Sequence, residues 1–88
     1  MLVELEARYD SRKSFYGKAK IHSLPQSPEA VELWSYDTLV ATIDTGKVFL
    51  HSDWDYSPTT LRHVKEFLKQ SGFKAETKAQ IARDYKGE

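Results

Sequence analysis

Ser57-Pro58-Thr59-Thr60-Leu61-Arg62-His63-Val64-Lys65-Glu66-Phe67-Leu68-Lys69-Gln70-Ser71-Gly72 is the stretch on which the fold turns. A serine followed by proline is the signature of a helix start. The hydroxyl caps free N–H groups, and proline at the first helical position gives up a donor that has no partner there. Leu61, Val64, Phe67 and Leu68 then recur at three- and four-residue spacing, which places them on one helical face. Gly72 supplies the stop. Thr77 and Gln80 form a capping-box pair, and Ile81 and Tyr85 lie four apart, so a second helix follows.

Upstream of Ser57 the period changes from helical to two. Val3, Leu5, Ala7 and Tyr9 alternate with Glu4, Glu6 and Arg8, which predicts a strand over 2–9. Residues 10–13 read as a turn. Phe15, Gly17, Ala19 and Ile21 alternate with Tyr16, Lys18, Lys20 and His22, giving a second strand that pairs with the first as a hairpin. Leu24 to Glu29 reads as a loop, because Pro25 and Pro28 cannot donate to a ladder. Val31–Tyr36 and Thr38–Ile43 follow as strands separated at Asp37. Asp44-Thr45-Gly46 then turns into a fifth strand over 47–51, with Gly46 at positive φ.

The order β-β-β-β-β-α-α predicts an α+β domain, 1–88, with a mainly antiparallel five-stranded sheet and two C-terminal helices on one face. With 88 residues there is room for one core, which buries about 60–65% of the unfolded surface. Hydrophobic residues at 40% and charged residues at 30% are too apolar for disorder. The chain has no cysteine, which rules out disulfides and cysteine-ligated zinc. That, with no spanning segment and no signal-peptide pattern, leads us to expect a cytoplasmic protein.

Formal net charge is zero, but it is divided along the chain. Residues 1–56 hold 6 basic and 9 acidic side chains, and residues 57–88 hold 7 and 4. A broad positive field of the kind used by non-specific DNA binders is therefore absent.

Catalytic motifs are sparse. Asp44-Thr45-Gly46 after an apolar strand matches the active-site triplet of retroviral-type aspartic proteases, in which two such aspartates share a proton across a dimer axis. Lys47 stands where that family prefers a small residue, and a hairpin turn selects the same triplet. His51, Asp53 and Asp55 would point the same way in an extended segment, an arrangement able to ligate a divalent metal, with His22 as a further donor. The competing role is a polar connection ahead of a helix N-terminus. Ser14 to Lys18 contains Gly-Lys but lacks the first glycine and the hydroxyl of a phosphate loop. We therefore expect no enzyme, no cofactor and no resident metal.

Binding features are better represented. Trp54 and Tyr56 flank the helix start, and Arg62, Lys65 and Lys69 form a basic stripe beside its apolar face, together a candidate protein-contact surface. Around the first hairpin, Arg12, Lys13, Lys18 and Lys20 interleave with Phe15 and Tyr16, a pattern suited to phosphates and stacked bases. Trp34 and Tyr36 share a strand face. In both basic sets the competing role is a solvated surface, and tryptophans also serve small cores.

Tyr9 to Ala19, Asp55 to Leu68, Gly72 to Ala75, Lys78 to Ile81 and Asp84-Tyr85 together resemble a family of short proteins carried by bacteriophages and mobile elements of Firmicutes. That family brings no catalytic residues to transfer. What the resemblance implies is a small inhibitor of a host protein or ribonucleoprotein complex, anti-CRISPR proteins among such inhibitors, or a nucleic-acid-binding regulator. Either would act in the cytoplasm of a bacterial host.

Overall fold

A computed structural model describes residues 2–5, 18–24 and 26–85. Strands β1 (Leu2–Glu4), β2 (Ala19–Leu24), β3 (Ser27–Ser35), β4 (Thr38–Asp44) and β5 (Lys47–Leu50) precede helices α1 (Pro58–Gln70) and α2 (Lys78–Tyr85). The strands form one sheet in sequence order, each antiparallel to the next. This is the expected architecture. The outer parts of the first hairpin, including Arg12, Lys13 and Tyr16, fall outside the described residues.

Register explains how the two sheet faces differ. Ile21 sits opposite Leu33, Leu33 opposite Ala41, and Ala41 opposite Leu50, so one apolar row crosses four strands. Leu33, Ala41 and Leu50 are buried, and they join Val64, Phe67, Leu68 and Ile81 from the helices in the core. One residue along, side chains point the other way. There His22, Glu32, Thr42 and Phe49 form a second row, beside Lys20, Trp34 and Leu39. Phe49 is exposed in that row, away from the core side.

The segment expected to be a loop between the second and third strands is instead a tight connection. Leu24 pairs with Ser27, and β3 starts at Ser27 and runs through Pro28. The register jumps from Ser23 opposite Val31 to Leu24 opposite Ser27, so Pro28 lies where neither ladder requires its missing N–H. Proline excludes a donor, and the bulge removes the need for one.

α1 is closed at both ends as its sequence predicts. Ser57 Oγ accepts from the Thr60 N–H at 3.1 Å. At the other end Phe73 N–H donates to Leu68 O at 2.9 Å and Gly72 N–H to Lys69 O at 3.1 Å, the paired bonds of a Schellman motif. Gly72 takes φ +88°, and no atom lies within 4 Å of where a Cβ would stand. Gly72→Ala is therefore expected to lower stability by about 1 kcal/mol through backbone strain alone, readable as a shifted urea midpoint with unchanged slope.

α2 is held by Gln80. Thr77 Oγ1 accepts from Gln80 N–H at 3.1 Å, and Gln80 Oε1 accepts from Glu76 N–H at 2.7 Å, one residue before the usual position of the reciprocal bond. Gln80 Nε2 donates to Lys74 O and to Asp84 Oδ2. That second bond, with the neighbouring Arg83, holds the Asp84 carboxyl below its ordinary range.

Candidate functional site

Two hollows meet at Tyr36. The first, about 300 Å³, is lined by Lys20 and His22 from β2, Trp34 from β3, and Tyr36 and Asp37 from the turn between β3 and β4. Cross-strand pairing places Lys20 beside Trp34 and His22 beside Glu32. Glu32 Oε1 accepts from Trp34 Nε1 at 3.2 Å and meets His22 Nδ1 at 3.3 Å. One carboxylate thus orients both the indole and the imidazole. Among the described residues, no hydrogen bond or ion pair engages the Lys20 ammonium or the Asp37 carboxylate.

The second hollow, about 270 Å³, lies between Tyr36 and Tyr56 and is also lined by Ser35, Val40, Asp53 and Thr60. Behind it runs a polar chain at the start of α1. Ser35 Oγ donates to Thr60 Oγ1 at 3.3 Å and lies 2.8 Å from His63 Nδ1, while Ser57 Oγ donates to Thr60 Oγ1 at 3.1 Å. A serine–histidine contact is also the start of nucleophilic catalysis. Here His63 is 0% and Ser35 2% exposed, so both side chains are buried, Ser35 beneath the floor of the hollow.

Tyr36 is the hinge of the arrangement. Its N–H donates to Lys18 O at 2.6 Å, and its ring tilts against His63 with centroids 6.0 Å apart. It also takes φ +57°, in a two-residue turn where glycine or asparagine is favoured. Strain of this kind persists where the surroundings require the side chain. Since both variants remove the ring, Tyr36→Gly is expected to be about 1 kcal/mol more stable than Tyr36→Ala, checked by urea unfolding of the pair.

The residues singled out from sequence separate. Tyr56 is 81% exposed at the rim of the second hollow, whereas Trp54 is half-buried against the core. Arg62, Lys65 and Lys69 are half-buried along α1, and Lys69 lines a different, shallow hollow with Phe73 and Lys74 past the helix end. The five do not form one pocket. Lys18 is exposed just before β2, and Lys20 lies in the first hollow.

Asp44 is exposed at the β4–β5 hairpin, accepting from Thr45 Oγ1 at 2.8 Å, with Thr45 and Gly46 both at positive φ. The triplet therefore has the geometry of a primed hairpin turn. The segment after β5 turns rather than extends, as Trp54 N–H reaches His51 O and Tyr56 N–H reaches Asp53 O. His51, Asp53 and Asp55 accordingly diverge: His51 Nε2 meets Thr42 Oγ1 at 2.8 Å, Asp55 pairs with Lys78 at 3.2 Å, and Asp53 is exposed. His22, the further donor considered, is held by Glu32.

Comparison with known proteins adds one match. The model of DUF8033, a family of unknown function, matches residues 3–83. The chain belongs to this family. The DUF8033 match takes in every residue lining the two hollows and both helix starts. No curated protein and no solved structure matches the chain.

Sequence reasoning missed the His63–Ser35 contact and the first hollow as a unit. His63 had a signal: with Thr60, Val64, Phe67 and Leu68 it falls on the buried stripe of α1.

Proposed function

We propose that the chain acts by stoichiometric binding rather than catalysis, offering the surface between Tyr36 and Tyr56 to a partner protein. The observation that carries this reading is the exposure of the two tyrosines, 48% and 81%, on either side of a preformed hollow. Tyrosine brings a large amphipathic area at little entropic cost, and it is enriched among residues that dominate interfaces. The neighbouring polar groups are tied into α1 and its cap, so the surface is rigid before it binds, which limits the ordering cost. The sequence resemblance favours an inhibitor of a host protein or ribonucleoprotein complex in a bacterial cytoplasm, with the anti-CRISPR class first to test. The exposed turn geometry of Asp44 favours a binding role over the protease alternative.

The test is an interference assay across a panel of CRISPR effectors, with wild type and Tyr56→Ala compared. Inhibition by the wild type, weakened about thirtyfold or more by Tyr56→Ala at unchanged fold, is the expected result for an interface anchor. A panel in which no effector is inhibited removes the anti-CRISPR form. Inhibition indifferent to both Tyr56→Ala and Tyr36→Ala removes this surface.

A further inference from the structure

The first hollow holds an unusual combination of groups for a surface on which only protein is to dock. Trp34 and Tyr36 supply two aromatic rings, Lys20 an ammonium without a partner among the described residues, and Asp37 a carboxylate equally without one. Because Glu32 already accepts the indole N–H, Trp34 has no polar demand left to satisfy and offers an apolar ring. His22 is oriented by the same carboxylate, which leaves its other ring nitrogen for a ligand.

These groups narrow the choice of ligand. A simple anion would suit Lys20 but be repelled by Asp37, and a simple cation would meet the reverse problem. A purely apolar group would leave both charges stranded on burial. The set fits a molecule that is flat and apolar in the middle, anionic at one end, and a hydrogen-bond donor at the other. At about 300 Å³ the hollow stands at the lower limit of small-molecule sites, enough for one ring system and its substituents.

We infer that this hollow binds one nucleotide of a single-stranded nucleic acid, stacking the base on Trp34 and Tyr36, with a base amino group on Asp37 and the phosphate on Lys20 and His22. A carboxylate accepts from the amino groups of cytosine, adenine and guanine, and thymine has none to give. Two neighbours favour a strand over a free small molecule. Lys18 is exposed two residues before Lys20, positioned for a second phosphate, and its carbonyl is bonded to the Tyr36 N–H. Phe49, exposed on the same sheet face two strands across and two residues along from Trp34, stands roughly 12 Å away as a second stacking ring. Zero net charge limits affinity for bulk duplex, so recognition rests on stacking and the amino contact. The inference stands apart from the Tyr56 surface, because the assay below contains no partner protein.

The test is fluorescence anisotropy of the full chain with short labelled oligo(dC), oligo(dA) and oligo(dT) at several salt concentrations. Oligo(dC) and oligo(dA) are expected to bind about fivefold or more tighter than oligo(dT), and Asp37→Ala, which removes the acceptor, to erase that preference. Lys20→Met should reduce the slope of log affinity against log salt by about 0.7, the share of one phosphate on a single strand. Trp34→Ala should weaken binding about tenfold or more, with circular dichroism showing the fold retained. Trp34→Phe, which keeps a stacking ring, serves where the alanine variant does not fold. No oligonucleotide binding at low salt overturns the inference. So does equal affinity for all three strands.

Discussion

Replacing Phe67 with alanine is expected to remove about 3–5 kcal/mol of stability. Phe67 is 1% exposed, heads the fully buried side chains by volume, and belongs to the core cluster with Leu33, Ala41 and Leu50 of the sheet. Its loss combines the transfer energy of the ring with a cavity that a sheet on one side and α1 on the other cannot close. An 88-residue domain has roughly 4–13 kcal/mol in total, so the loss is between about a quarter and all of its stability. Phe67→Leu keeps most of the volume and should lose far less. Urea denaturation followed by circular dichroism separates the two. A Phe67→Ala midpoint close to that of Phe67→Leu would mean that the core is not organised around this ring.

The same residue shows why the helical half was legible from sequence. Ser57, Pro58 and Gly72 mark both ends of α1 by local chemistry, and the apolar spacing between them leaves one face to bury. Strand alternation gave the sheet for a related reason, since a period of two needs only neighbouring residues to be read. The failures are non-local. Pro28 was excluded from a strand because a missing donor is costly in a ladder, yet the bulge opposite Ser23 and Leu24 leaves that position without a ladder bond to make. Tyr36 lies one step past the end of β3 at positive φ, which no glycine or asparagine announces.

The first hollow was illegible for a further reason. Lys20, His22, Trp34 and Asp37 come from three segments whose proximity depends on the β2–β3 register, which no single segment reveals. Sequence placed Lys20 in a basic set with Arg12 and Lys13, whereas pairing places it against Trp34. The basic residues Arg62, Lys65 and Lys69 are spread along a helix of 13 residues that begins just after Tyr56, and Lys69 ends beside another hollow.

The polar chain behind the hollows should carry nearly as much stability as the core. His63→Ala is expected to cost about 2–4 kcal/mol, combining a cavity with the loss of the 2.8 Å contact that Ser35 Oγ makes inside a closed environment. Ser35→Ala removes less volume and should cost about 1–3 kcal/mol, chiefly by leaving Nδ1 of a buried imidazole without that hydroxyl. Because both substitutions delete the same contact, the double variant should be more stable than the sum of the two losses implies, by about 0.5–3 kcal/mol. His63→Asn places a polar atom near the position of Nδ1 and should recover part of the loss. The network also sets the site. Tyr36 rests on the His63 ring, and Ser35 and Thr60 line the second hollow, so loosening this contact frees the turn that both hollows share. His63→Ala is therefore expected to weaken oligonucleotide binding although no nucleotide touches His63, with His63→Asn restoring most of it under conditions where both variants are folded. Strictly additive losses in the double variant would show that the serine and histidine are independent, and unchanged binding in His63→Ala would show that Tyr36 is held by other contacts.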